Sequence, residues 1–263
     1  MQNDILIISH YHEQGIIRTD TIKLIIVLKK IFKKIILVST KLKETAKITL
    51  PSEVKVIIRK NVGKDFMSYR TGFIYLLKKK YFRDLCNIYF MNTSFVCLNP
   101  YKFKSNVVLK KKTVNDNFIG ITKSFEINEH IQTYFFKISK NIFMQEFFIN
   151  WFYKIKPLKK RMNIIYKYEI GLSQFLMNQH YKCNSIFPNT KKKKLLVKLF
   201  NYSFFKKRFE KGNPTAFFWK KIYKNFGIIK TELIKKNPHN RKIGDLKKIF
   251  FKKKELFNQI QNN

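Results

Sequence analysis

Four short stretches carry polar residues at spacings suited to chemistry, in a chain otherwise dominated by lysine, phenylalanine and isoleucine. The first, NVGKDFMSYRTG, runs from Asn61 to Gly72 between a strand-like run and a helix-like one. Asn61 closes the strand and Gly63 permits a tight backbone turn. Asp65 then stands where a helix exposes free N–H groups and the positive end of its dipole, a place that suits an anion. Lys64 and Arg70 can add charge to a diphosphate, while the Asp65 carboxylate can accept hydrogen bonds from a sugar or a base. Asp is also a favoured N-cap, so the same residue reads as a simple helix cap with Arg70 solvated.

The second stretch is Asn92-Thr93-Ser94, at the end of another strand-like run. Hard divalent cations prefer paired carboxylates, and no Asp-x-Asp occurs anywhere in the sequence. A Mg or Mn ion therefore stays open as a cofactor without a motif to hold it. Neutral Asn92 and Ser94 can instead hydrogen-bond a phosphate or a ribose, or merely finish a strand. The third stretch places His130 and Gln132 near the start of a helix expected from Glu129, with Tyr134 one turn past His130. A histidine there can act as a general base near neutral pH or serve as a structural hydrogen bonder. The fourth, YEIG, sets Glu169 at an expected helix start beside Gly171. Its carboxylate can take a proton from a hydroxyl or simply favour the helix dipole.

The elements that must position these groups alternate along the first half. Residues 4–9, 34–40, 54–61, 87–94 and 117–122 are β-branched or continuous apolar runs of strand length. Residues 19–34 read as a helix with Thr19 or Asp20 as N-cap. Residues 65–80 read as another, with Phe66, Tyr69, Phe73, Leu76 and Leu77 on one face. Such alternation predicts an α/β fold with a mostly parallel sheet covered by helices on both sides. The second half reads as mainly helical: Ile131, Phe135 and Ile138 fall at core spacing in residues 130–143, and Leu172, Phe175 and Leu176 in residues 168–179. Composition shifts at the lysine run from Lys191, and a loose boundary near Asn240 divides residues 1–240 from a tail, 241–263. The tail reads as one basic amphipathic helix with Leu246, Ile249, Phe250, Leu256 and Phe257 inward.

Composition bounds the rest. The 263 residues are 45% hydrophobic, enough for a sizeable core. Cys86, Cys97 and Cys183 form no CxxC pair, which fits a reducing cytoplasm. The N-terminal MQNDILIISHYH lacks the pattern of a secretory leader. No run of about 18 apolar residues is free of lysine, so a membrane would be met only at its surface. The 55 Lys+Arg against 16 Asp+Glu give a net charge of +39, a field that draws nucleic acid, anionic lipid or sugar nucleotides. Only seven of the cations are arginine, the usual base reader and phosphate fork. The bias toward Lys, Asn, Ile, Phe and Tyr is that of an AT-rich genome, so charge alone names no partner.

Taken in order, ISHYHEQGIIRTD, IILVST, RKNVGKDFMSYRTGF, YFMNTSF, FIGITKS, HIQTYFFKISKNIF, YEIGLSQFL, NPTAFFWKKIY and IIKTELIKKNP resemble the rhamnan synthesis protein F family of bacterial polysaccharide glycosyltransferases, over residues 4–238. The chain has Asn92-Thr93-Ser94 where that family usually has Asn-Asp-Ser, a departure that weakens a metal site. The resemblance implies a GT-A-like nucleotide-binding domain and transfer of a sugar, often from dTDP-rhamnose, to a growing O-antigen, capsule or cell-wall glycan. It further implies donor binding by Asp65 and Arg70, Asn92 and Ser94 near the diphosphate, Glu169 as base, and His130 and Gln132 along the acceptor side. Expected partners are a nucleotide-sugar donor, a glycan or lipid-linked glycan acceptor, and an anionic membrane surface. The expected location is peripheral, on the cytoplasmic face of the inner membrane. Two other readings stand beside it: a catalytically impaired or regulatory member, given Thr93, and a nucleic-acid binder, given the lysines interleaved with aromatics.

Overall fold

A computed structural model describes residues 3–109, 117–125, 127–188, 213–237, 243–251 and 253–261. The lysine run from Lys191 and the boundary near Asn240 lie outside the described residues. The chain forms strands β1 (Asp4–His10), β2 (Lys34–Ser39), β3 (Lys55–Ile58), β4 (Asn87–Asn92), β5 (Phe95–Cys97), β6 (Phe118–Gly120), β7 (Lys123–Ser124), β8 (His130–Ile131), β9 (Phe135–Ser139), β10 (Cys183–Ser185) and β11 (Ile228–Lys230). Seven make one sheet in the order β10-β6-β9-β4-β1-β2-β3. β1 lies parallel to β2 and β4, β2 to β3, and β6 to β10, while β9 runs antiparallel between β4 and β6. β5 with β11, and β7 with β8, form short antiparallel pairs.

β1 is apolar along most of its length because both its faces are covered. Helices α1 (Thr19–Leu28), α2 (Glu44–Ile48) and α3 (Lys64–Leu77) connect the early strands. Ile5 and Ile7 pack with Phe66, Tyr69, Phe73 and Leu76 of α3 on one side. Leu6 and Ile8 pack with Leu24, Ile25 and Leu28 of α1 on the other. This is the expected α/β arrangement, a mostly parallel sheet between two apolar layers.

Three local expectations change. Residues 130–143 are not one helix: β8 and β9 occupy its first two thirds, followed by a single turn, Lys140–Phe143. β9 is buried on both faces, with Phe135, Phe136 and Ile138 interrupted by a buried Lys137, so it carries no strand alternation and its apolar positions mimic helical spacing. α1 has Arg18 rather than Thr19 or Asp20 at its N-cap, and the Arg18 side chain makes no capping bond; Thr19 N donates instead to Gln259 Oε1 at 3.0 Å. The tail is two helices, Gly244–Phe251 and Lys254–Gln261. Leu246, Phe250, Leu256 and Ile260 are buried with Val96, Trp219, Ile229 and Leu233 in a third apolar cluster, whereas Phe257 is 37% exposed.

Candidate functional site

Strand order reverses at β1: the chain lays β2 and β3 on one side of it and then returns to place β4 on the other. A crevice opens beyond the carboxyl ends of the strands at such a reversal. Ser9 and Asn92 are register partners there, and Asp65 reaches both from the first turn of α3. Ser9 Oγ donates to Asp65 Oδ1 at 3.0 Å, and Asn92 Nδ2 donates to Oδ2 at 2.8 Å. Asp65 is therefore not the helix cap; that position belongs to Gly63, and no side chain caps the helix. Gly63 has φ +69°, and a Cβ there would lie 2.2 Å from Met67 Cγ and 2.9 Å from Pro157 Cα. Lys64 follows at φ 49° without glycine's freedom. Arg59 holds this turn, donating to the carbonyls of Lys60 at 2.7 Å, Val62 at 2.6 Å and Lys64, and to Ser68 Oγ at 2.9 Å. Burial raises the Asp65 carboxyl above the usual range, against the lowering effects of Ser9, Lys230, Asn92 and Arg59.

Two cavities meet at Lys64 and Asp65. The first, about 320 Å³, opens over the ends of β1 and β2 and is lined by Ser9, His10, Thr40, Arg59, Asn61 and Ser68. The Thr40 hydroxyl is buried there without a hydrogen-bond partner among the described residues. Burial, followed by the charges of Arg18 and His12, pushes His10 down to about 4, so it is neutral at pH 7.

The second cavity, about 330 Å³, has Asn92, Ser94, Thr133, Tyr134, Glu169 and Lys230 among its walls, with Arg161, Glu232, Lys235 and Lys236 also lining it. Ser94 Oγ donates to Asn92 Oδ1 at 2.6 Å and accepts from Lys230 Nζ at 2.8 Å. Lys230 Nζ also lies 4.1 Å from the Tyr134 ring centroid. Burial pushes the Lys230 ammonium down to about 8, although Glu169, Asp65 and Glu232 pull it up. The turn after β4 is clamped from behind: buried Arg18 donates to the carbonyls of Thr93 at 3.0 Å and Phe95 at 2.5 Å, and pairs with Asp20 at 2.9 Å. Asp20 in turn accepts from Cys97 N at 2.8 Å.

Glu169 does not begin a helix. It lies in a π-helical turn, Ile165–Ile170, within helical chain running from Arg161 to Asn178. Such turns recur at functional sites. Its Oε2 accepts from Thr133 Oγ1 at 3.1 Å, and its Oε1 lies 3.7 Å from His130 Nε2. His130 is buried, with Nδ1 2.7 Å from the Asn128 carbonyl, and sits behind Glu169 rather than in the cavity wall. Gln132 does line the cavity. Its Oε1 accepts from Thr122 Oγ1 at 2.8 Å and Thr215 Oγ1 at 2.5 Å, and its Nε2 donates to Asn213 Oδ1 at 3.2 Å.

Of the residues expected from sequence, Asp65, Asn92, Ser94, Gln132 and Glu169 converge on one cavity. Arg70 does not join them. Five residues after Asp65, it points roughly 140° around the helix from it, where its Nε meets the Tyr153 carbonyl at 3.4 Å. Lys230, Arg161 and Thr133 complete the cavity without having stood out in the sequence. Among the described residues, no group of three or more His, Cys, Asp or Glu is placed to hold a metal ion. Beside Asp65 stand an amide and a hydroxyl, so these residues fit a divalent cation poorly.

The family model for rhamnan synthesis protein F matches residues 35–236. The chain belongs to the rhamnan synthesis protein F family. The matched span contains Asp65, Asn92, Glu169 and Lys230, and thus every wall of the second cavity. Relatives of this family member include the uncharacterized protein y4gN of Sinorhizobium fredii, 23% identical over 70% of this chain and 48% of the relative. The virulence protein VirA of Vibrio anguillarum is 24% identical over 69% of this chain and 62% of the relative. The chain thus spans about half to three fifths of the curated relatives it matches. Among solved structures, 4-diphosphocytidyl-2C-methyl-D-erythritol synthase is 8% identical with a TM-score of 0.43, over 76% of this chain and 98% of that one. The glycosyltransferase GlyE of Streptococcus pneumoniae is 7% identical with a TM-score of 0.39, over 70% and 45%. No helix among the described residues is long and apolar enough to cross a membrane.

Proposed function

We propose that this member of the rhamnan synthesis protein F family is a glycosyltransferase that moves a sugar from a nucleotide-sugar donor to a growing cell-surface polysaccharide. Rhamnose is the sugar to which the family's description points. The observation that carries the reading is Asp65, fixed by Ser9 and Asn92 at the strand-order reversal, on the shared wall of two cavities. The cavity over β1 and β2 takes the nucleoside, with Thr40 and Asn61 as hydrogen-bonding groups. The diphosphate and sugar extend past Asp65 and Ser94, and the acceptor enters beside Glu169.

Of the three carboxylates among the described residues lining the second cavity, Asp65, Glu169 and Glu232, Glu169 accepts from Thr133 and has an oxygen facing His130. As general base it takes the proton of the acceptor hydroxyl while that oxygen attacks the anomeric carbon. A single displacement of this kind inverts the anomeric centre. Thr133, which donates to Glu169, is then the positioning residue, while His130 stands behind the carboxylate at 3.7 Å and touches no substrate. Arg70 is left outside the donor site, while Gln132 ties the Asn213–Thr215 turn to the cavity wall. The protein works peripherally at the cytoplasmic membrane face, where a lipid-linked acceptor is presented.

A thermal-shift panel of nucleotide sugars on wild type and Asp65→Ala tests the reading. Selective stabilisation by one sugar nucleotide, lost in the variant, is the expected result; stabilisation by nucleic acid alone overturns it. Glu169→Gln is expected to keep donor binding and to lower transfer by roughly 10²-fold or more. Transfer at the wild-type rate removes Glu169 from the role of base.

A further inference from the structure

We propose that Lys230 stands in for a divalent cation, its ammonium meeting the charge of the departing diphosphate, so that sugar transfer at this site needs no metal. The inference rests on the sugar-transfer reading above and concerns how its leaving group is stabilised.

Three observations point the same way. The strand end nearest Asp65 offers no second carboxylate, and its polar groups are already committed. Asn92 donates to Asp65 and accepts from Ser94 N and Oγ, while the Thr93 carbonyl accepts from Arg18. A cation has one carboxylate to bind there, where hard ions need several oxygens.

Second, a fixed positive charge already occupies the spot. β11 pairs with β5 in a register that sets Lys230 opposite Phe95, one residue beyond Asn92-Thr93-Ser94. Thr231 locks this placement, donating N–H and Oγ1 to the Ser94 carbonyl at 3.0 and 2.9 Å. The ammonium then rests between Ser94 Oγ at 2.8 Å and the Tyr134 face at 4.1 Å. Little reorganisation is left for the moment of reaction, when preorganised charge is most effective. Third, the groups facing Lys230 are Glu169, Asp65, Glu232 and Arg161. Lys64, Arg161, Lys235 and Lys236 line the same cavity, so a polyanion entering it meets cations on more than one wall.

The step balances without a co-reactant. The bond from the acceptor oxygen to the anomeric carbon forms as the bond from that carbon to the diphosphate oxygen breaks. The hydroxyl proton passes to Glu169, the leaving diphosphate carries away the bonding electron pair, and its new charge faces the ammonium. Burial holds that ammonium near a pKa of about 8, so it is charged at neutral pH, and an arriving diphosphate strengthens the charged form.

The test is isothermal titration of the full chain, stripped with EDTA, against UDP, dTDP and GDP and their nucleosides. Each titration is repeated with Mg²⁺ or Mn²⁺ added. One diphosphate is expected to bind in EDTA, with an affinity that added metal changes by less than about threefold. Lys230→Met is expected to weaken that diphosphate by about tenfold or more and to leave the nucleoside unchanged. Diphosphate binding that requires metal, or a folded Lys230→Met variant with wild-type affinity, overturns the inference while leaving sugar transfer standing. If no nucleoside or diphosphate binds under any condition, both readings fail. The metal comparison uses only wild-type protein, so it decides even where the variant does not fold.

Discussion

A buried ammonium that serves a ligand destabilises the fold that carries it. Lys230 falls from 10.5 to about 8 because burial disfavours its charge more than Glu169, Asp65 and Glu232 favour it. Between those two values the folded chain binds fewer protons than the unfolded one, so stability from this group rises with pH. Below about 8 the penalty is present in full. Lys230→Met is therefore expected to melt a few degrees higher than wild type at pH 7 in the absence of ligand. The difference should shrink toward pH 10, and calorimetry at both pH values checks it. A lower melting temperature at pH 7 would mean that the ammonium stabilises the free protein. The same contrast explains which residues could be read from sequence. Asp65 and Glu169 stood out because acids are rare here, whereas Lys230 is one of 55 Lys+Arg; its segment IIKTELIKKNP carries part of the family resemblance, but nothing within that segment singles out this lysine. Arg70 stood out by type, yet helix geometry turns it away from Asp65.

At the scale of elements, the site depends on two departures from regular backbone. One is the left-handed pair Gly63 and Lys64, which starts α3 at an angle that brings Asp65 over Ser9 and Asn92. Gly63→Ala must hold a Cβ against Met67 and Pro157 at positive φ. We expect a loss of about 1–3 kcal/mol in urea unfolding together with weaker nucleotide binding. A variant as stable as wild type would show that this turn relaxes. The other departure is the π turn that carries Glu169. Sequence patterns showed that helices and strands alternate, because their apolar runs are long and distinct. They could not show the π turn, which changes hydrogen bonding without changing composition. Nor could they separate β9 from a helix, since a strand buried on both faces loses the alternation that identifies strands. The reversal of strand order that makes the crevice is a tertiary property; alternation alone left it open.

For the whole molecule, the tail is a structural brace, and the membrane contact proposed for it must be tested apart from that role. Leu246, Phe250, Leu256 and Ile260 bury themselves against β5, β11 and their neighbours, and Gln259 bonds His12 and Thr19 beside the first cavity. Each such apolar side chain contributes about 1.5–3 kcal/mol, so removing the tail takes away much of what a typical domain has. Truncation would therefore unfold the protein rather than report on lipid. The outer side of the tail shows Phe251 at 72% exposure, with Lys248, Lys253 and Lys254 exposed near it. An exposed aromatic among lysines is what an anionic lipid surface holds, by apolar insertion plus charge attraction. In vesicle flotation, the full chain is expected to rise with phosphatidylglycerol vesicles and not with phosphatidylcholine ones, and to be released by salt within the range that shortens the Debye length. Replacing Phe251, Lys253 and Lys254 together by serine should cut the bound fraction several-fold and leave the melting temperature unchanged, because none of the three is buried. Unchanged flotation of that variant would mean that the net charge of +39 binds lipid from some other face, and that the tail is a structural brace alone.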